Sequence, residues 1–284
     1  MKSKTAYYIK NFFKYFSLTL LTIIIWLIVF ASFQTPGTDK NWIETDLKLP
    51  EAVINWDKIL IKNIRNFKHI SESERVKWYY DKEYDLSKLE KVYYIVEPFS
   101  DYDWPAHTML SFEFNNWDYL SFSAEIRKEK GESFSPLMWL LNQFELFYVW
   151  WDENDLVKLR ANIRKDIVRI YPVNTSKEKI KKLFVSIIEK TNRLKKEPEF
   201  YNTFHNTCTT SILKHINTLR DEKISFLDMR ILLPSNSDKV AYEKWYLDTK
   251  LSLKQAREYY KINELSEKYW NNVDYSKLIR KERK

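Results

Sequence analysis

His107-Thr108-Met109-Leu110-Ser111-Phe112-Glu113-Phe114 and Tyr119-Leu120-Ser121-Phe122-Ser123-Ala124-Glu125-Ile126-Arg127 alternate apolar and polar side chains, with Asn115-Asn116-Trp117-Asp118 between them. Period-two alternation marks a strand and the Asn/Asp tetrad marks a turn, so the stretch reads as a β-hairpin. Its register follows from its pattern. Cross-strand partners share a face, and a slip of one residue would reverse every side chain. Leu110, Phe112 and Phe114 must therefore share a face with Leu120, Phe122 and Ala124. Only even index sums do this, and a sum of 232 sets Leu110 against Phe122 and Phe112 against Leu120. The same sum sets His107 against Glu125 on the opposite, polar face. A register two residues away makes that pair diagonal.

Outward from the hairpin, Val92-Tyr93-Tyr94-Ile95-Val96 reads as a buried strand that Asp101 to Pro105 breaks. Pro136 opens a short helix through Trp139 and Leu140. Leu146 to Trp150 and Ile167 to Tyr171 read as further strands. Thr175 and Glu178 form a capping box for a helix carrying Ile180, Leu183, Phe184, Ile187, Ile188 and Leu194 at helical spacing. Glu197-Pro198 ends it. A polar loop then leads to a second helix with Ile212, Leu213, Ile216 and Leu219 as its buried stripe. Phe33 to Leu49 is a linker carrying Pro36-Gly37, followed by an irregular stretch with Ile59, Leu60, Ile61 and Ile64. Beyond Pro234 the chain reads as helical or irregular. The expected fold class is α+β, an antiparallel sheet packed on helices.

The N-terminus decides the compartment. Tyr15 to Phe33 is 19 residues without a charge, enough to cross a bilayer as a helix, and Lys2, Lys4, Lys10 and Lys14 precede it with no acidic residue. Positive charge holds the N-terminus in the cytoplasm and exports the rest of the chain. A cleaved signal peptide ending near Val29-Phe30-Ala31 is the competing reading, but the run exceeds the roughly 7–15 residues of a signal core. The expectation is a single-pass protein with its body outside the cytoplasmic membrane. Four segments are expected: an anchor over 1–33, a lead-in over 34–60, a main domain over 61–250 and a helical basic tail over 251–284.

Composition excludes several function classes. Gly37 and Gly131 are the only glycines among 284 residues, which argues against a glycine-rich phosphate loop. The formal charge of +8 falls to +4 once the four anchor lysines are set aside, too mild to call for nucleic acid. Arg280-Lys281-Glu282-Arg283-Lys284 is a solvated tail or touches anionic headgroups. Four dispersed histidines and one cysteine offer no metal-ligand spacing, and no cofactor is expected.

That cysteine, Cys208, comes after the polar loop Tyr201-Asn202-Thr203-Phe204-His205-Asn206-Thr207 and opens the second helix. A helix N-terminus favours the thiolate, so Cys208 is a candidate nucleophile as well as a candidate buried small residue. In an oxidising compartment it has no intrachain disulfide partner. A thiol nucleophile needs a base and a group that orients the base, and the hairpin offers His107 and Glu125. The Cys208 N–H, unpaired within the helix, is a candidate oxyanion donor. His205 is an alternative base or a wall of the site. His69 has no evident partner, and His215 is expected on the exposed side of its helix.

Ala106 to Phe112, Glu125 to Leu137, and Tyr201-Asn202-Thr203 with Asn206-Thr207-Cys208-Thr209-Thr210 together resemble the family named for the N-terminal periplasmic domain of the bacterial lipoprotein N-acyltransferase Lnb, over roughly Lys62 to Leu247. The resemblance implies a permuted papain-like fold of the NlpC type, with histidine preceding cysteine in the chain. It implies Cys208 as nucleophile, His107 as base and Glu125 as orienting acid, in a periplasmic body on a single span of the bacterial inner membrane; Asn206, Tyr201 and His205 of the loop are candidate binding residues. The reaction it implies is acyl transfer through a thioester, from a membrane phospholipid to the amine of a lipoprotein. The family's namesake carries further membrane segments after this domain, so the acceptor is open: a protein amine, another amine or water. The rivals are a cell-wall peptide amidase or peptidase, for which a polar, acidic groove would speak, and a non-catalytic envelope scaffold.

Overall fold

The computed structural model describes residues 2–99, 105–133, 138–139, 141–244 and 246–280. The helix α1 (Lys2–Ser32) is followed by β1 (Glu51–Asn55), β2 (Lys58–Arg65), the short pair β3 (Lys68–His69) and β4 (Arg75–Val76), β5 (Tyr79–Asp85), β6 (Leu89–Pro98), β7 (Ala106–Phe114), β8 (Asp118–Arg127) and β9 (Glu145–Trp151). Then come α2 (Glu153–Lys158), which runs into a π-helical turn at Leu159–Ile163, β10 (Arg169–Pro172), α3 (Lys177–Lys196), β11 (Glu199–Phe200) and α4 (Cys208–Asn217). The helices α5 (Met229–Leu232), α6 (Ser237–Glu243), α7 (Leu253–Tyr259), α8 (Asn263–Lys268) and α9 (Tyr275–Leu278) complete the described chain. Within α1, Tyr7–Ser32 is long and apolar enough to cross a membrane.

The sheet runs β1-β2-β9-β8-β7-β6-β10, with β5 added on β2 and β11 on β9. Its ladders are antiparallel except for one parallel pair, Arg65 with Trp151, between β2 and β9. At its centre the hairpin has the expected register, Leu110 opposite Phe122 and Phe112 opposite Leu120. The stretch expected to be irregular around Ile59 to Ile64 is instead β2. A register shift between Ile61 and Ile64, with Asn63 at φ 59°, moves the buried side chains from odd to even positions and breaks the period-two signal.

One face of the sheet carries the main core. The rings of Phe112, Phe122, Trp150 and Phe184 pack with centroids 4.9 to 6.1 Å apart. All four side chains are fully buried, each stabilising the fold by about 1.5–3 kcal/mol. Phe184 comes from α3, whose buried stripe is the expected Ile180, Leu183, Phe184, Ile187, Ile188 and Leu194. Its cap is one residue later than expected. Ser176, not Thr175, accepts from the Lys179 N–H, and Glu178 turns forward to pair with Lys182 at 2.7 Å instead of closing a capping box.

The opposite face, expected to be polar, is covered too. Leu156 of α2, Ala161 of the π-helical turn, Tyr275 of α9, and Ile262 and Ile279 at helix flanks pack with Met109 and Val149. Residues up to Arg280 thus belong to the body: the Arg280 side chain is buried, paired with Glu153 and held between the rings of Tyr93 and Tyr119. Ser111, read as part of a polar face, donates to Glu153 beneath this cover. Lys281 to Lys284 lie outside the described residues, as do Pro136 and Leu140 of the expected short helix and the break at 101–104.

Two histidines also differ from expectation. His69 has a partner, Asp155, at 2.7 Å in a buried group completed by Arg65 at 2.8 Å. His215 is buried, with Nδ1 2.7 Å from Ser186 Oγ and Nε2 3.0 Å from the Tyr148 hydroxyl. Burial, with the charges of Lys190, Lys214 and Arg193, pushes its pKa down to about 3.

Candidate active site

Cys208 is the first residue of α4, and the threonines around it fix that start. Thr207 Oγ1 accepts the Thr210 N–H at 3.1 Å, and Thr210 Oγ1 accepts the Thr207 N–H at 2.8 Å, a reciprocal cap that satisfies two orphan donors. Thr209 Oγ1 meets Thr108 Oγ1 at 2.9 Å and seats the helix end on β7. The Cys208 N–H is not free, as the sequence led us to expect: it donates to the Tyr201 hydroxyl at 3.1 Å.

His107 stands near the start of β7 and Glu125 near the end of β8, on one face, with His107 Nε2 3.0 Å from Glu125 Oε1. This is an ion-pair contact. The Nε2–H does not align on the carboxylate as a hydrogen bond. Burial alone would lower the His107 pKa, but the charges of Glu125 and Cys208 and the close polar contact with each raise it to about 10. Burial alone would raise the Cys208 thiol; the His107 charge and hydrogen bond, the Thr108 N–H and the Thr209 hydroxyl outweigh it and bring the thiol down to about 7. Glu125 obeys the same logic, lowered to about 2 against its own burial by His107, Arg160 and Ser123. At neutral pH a thiolate beside an imidazolium beside a carboxylate is well populated.

A second ring of residues, absent from the sequence reading, holds Glu125. Ser123 Oγ donates to Glu125 Oε1 at 2.6 Å and itself accepts from Trp151 Nε1 at 2.8 Å. Arg160, on the π-helical turn, pairs with Glu97 and brings Nη2 to 3.6 Å from Glu125 Oε1. Glu97 is fully buried directly opposite His107 in the β6–β7 ladder, and burial pushes its pKa up to about 7. Ser123 was legible, two residues before Glu125 on the same strand face. Arg160 was not, because an isolated π turn leaves no periodic signal.

A cavity of about 910 Å³ reaches Cys208, His107, Glu125 and Tyr201. Its walls mix apolar side chains such as Phe99, Trp139 and Leu233 with charged ones such as Asp46, Arg75 and Arg164. Tyr201 is thus at the site, with Trp139 edge-on to its ring at 5.3 Å. Asn206 and His205 are not among the lining residues. Asn206 instead braces the loop, donating to the Phe200 carbonyl at 3.0 Å and accepting from Lys214, while His205 is exposed to solvent. Among the described residues no cluster of three or more His, Cys, Asp and Glu is arranged to hold a metal ion.

A family model, that of the Lnb N-terminal periplasmic domain, matches residues 74–237, a span that includes His107, Glu125 and Cys208. Neither the curated proteins nor the solved structures gave a match.

Proposed function

This chain belongs to the Lnb N-terminal periplasmic domain family, and from that premise we propose that it is a thiol acyltransferase or acyl hydrolase of the bacterial envelope. In this reading the body faces the periplasm from a single inner-membrane span, and the sheet and helices are a permuted papain-like arrangement in which the histidine strand precedes the cysteine helix. The observation that carries the reading is the coupling of three groups at one cavity: Cys208 at a helix N-terminus, acted on by His107, which stands 3.0 Å from Glu125.

The Cys208 thiolate attacks the ester carbonyl of a phospholipid acyl chain. The S–C bond forms, the ester C–O bond breaks, and the departing oxygen takes the proton from His107. An amine or a water then gives a proton to the neutral imidazole and attacks the thioester carbonyl. The C–S bond breaks and the thiolate returns. Glu125 keeps the imidazole oriented and stabilises its charged form. Tyr201, whose hydroxyl already accepts the Cys208 N–H, has its own O–H to donate to the tetrahedral oxyanion.

The test uses the full chain in vesicles containing acyl-labelled phospholipid, quenched with acid. A hydroxylamine-labile label on Cys208, absent from Cys208→Ala, is the expected result. No adduct with any phospholipid would overturn acyl transfer from lipid and favour the second reading, an amidase or peptidase on cell-wall peptides. The acidic part of the wall, Glu44, Asp46, Glu72 and Glu74, speaks for that alternative.

A further inference from the structure

The end of the membrane helix and the mouth of the cavity are joined by two hydrogen bonds. The Ala31 carbonyl, in the last turn of α1, accepts from Asn142 Nδ2 at 3.3 Å, and Asn142 Oδ1 accepts from Asn202 Nδ2 at 3.1 Å. Asn202 lies between Tyr201 and Thr203, both of which line the cavity. The chain leaving α1 also contributes a wall, since Ile43 and Asp46 line the cavity within 14 residues of Ser32. The Tyr201–Thr203 wall of the cavity is therefore tied to the end of α1.

Around that mouth, large apolar side chains stand in solvent. Phe99 and Leu233, which line the cavity, are 42% and 38% exposed, and Phe204, next to Thr203, is 48% exposed. Large apolar side chains exposed together beside a cavity of mixed lining are the kind of surface that interaction sites use. Beside a spanning helix, aromatic side chains favour the headgroup layer, where the ring is sheltered and the polar surroundings stay wet.

We propose that this rim, Phe99, Phe204 and Leu233, seats in the interfacial layer of the bilayer that α1 crosses, so that the cavity opens onto the lipid surface. The occupant is the bilayer itself because Phe204 lies two residues from Asn202, which is tied through Asn142 to the end of the spanning helix, and Phe99 and Leu233 line the cavity whose wall that loop forms. The opposite end of the sheet is a control provided by the fold. Trp117, in the β7–β8 turn, is 56% exposed, yet it lies beyond the far end of β7 from His107, about 25 Å away. Its ring stays in water. The acyl-transfer reading gives this seating a purpose, since an acyl chain reaches Cys208 without crossing water, but the docking stands apart from the chemistry.

Because Cys208 is the only cysteine, Cys208→Ser is a cysteine-free background. Phe204→Cys, Leu233→Cys or Trp117→Cys in that background, each labelled with an environment-sensitive fluorophore, is reconstituted as the full chain in phosphatidylcholine/phosphatidylglycerol vesicles with and without nitroxide-bearing lipid. All three positions are exposed, so the labels leave the core intact. Labels at 204 and 233 are expected to be blue-shifted and quenched several-fold more strongly than the label at 117. Quenching at either rim position no stronger than at 117 overturns the proposal. A chain without its thiol cannot carry out the chemistry, so this outcome is independent of whether Cys208 is a nucleophile.

Discussion

Glu125 and His107 meet at 3.0 Å three positions beyond Leu110 and Phe122, where the backbone pairing of β7 with β8 stops. The strands have parted there, and the side chains span the gap that the backbone hydrogen bonds leave. Their charges face each other next to a thiol that ionises more easily than a free one, so the state of Cys208 depends on both.

The first prediction concerns that ionisation. A thiol with its pKa lowered to about 7 keeps most of its charge at the pH of about 8.5 where an ordinary cysteine is half protonated, and loses it as pH falls through 7. Alkylation of Cys208 by iodoacetamide is expected to show a midpoint near 7, with a rate at pH 6 well above that of a free thiol. His107→Ala removes the principal opposing charge and should return the midpoint to the ordinary range. Equal profiles for the two proteins would rule out the pairing.

Glu125→Gln preserves shape and removes the charge. The imidazolium loses its counter-charge, His107 titrates lower, and the thiolate loses part of its support. The alkylation midpoint should rise by about 1 pH unit, slowing the reaction at pH 6 about tenfold. Ser123→Ala, which removes only one hydrogen bond to the same carboxylate, should give a smaller shift in the same direction. A Glu125→Gln profile that overlays the parent would show that the carboxylate does not act through His107.

How far the sequence carried differs from element to element. The hairpin register was legible because its alternation is unbroken over both strands, and α3 because its stripe is uninterrupted. The strand β2 was hidden by its bulge at Asn63, and the cover over the second face by distance along the chain: Tyr275 and Ile279 pack on strands more than a hundred residues earlier. At the site, Cys208, His107 and Glu125 could be paired from the register and the family motifs. The Tyr201 contact could not, since no pattern dictates how a seven-residue loop folds back onto a backbone N–H.

That contact gives the third prediction. Tyr201→Phe leaves the buried Cys208 N–H without its partner, and should destabilise the fold by about 1–3 kcal/mol, read from denaturant midpoints in detergent. If the hydroxyl also serves the oxyanion, acyl-thioester formation should fall about a hundredfold while the alkylation midpoint stays near 7, because alkylation has no oxyanion to stabilise. A loss of stability with an unchanged acylation rate would make Tyr201 a purely structural residue.

The fourth prediction is an acid-sensitive element away from the site. His215 is held neutral between Ser186 and Tyr148, with its folded pKa near 3 against about 6.5 when unfolded. Below pH 6.5 the unfolded chain takes up a proton that the folded chain refuses. The contribution of this site is therefore fully present above about 6.5 and is lost as pH falls toward 3, at about 1.4 kcal/mol per pH unit. His215→Gln cannot titrate. It should be less stable than the parent at pH 7, where it forfeits buried hydrogen bonds, but the deficit should shrink steadily in urea titrations at pH 6, 5 and 4. A deficit that stays constant over that range would mean that His215 takes up its proton as readily in the folded protein as in the unfolded one.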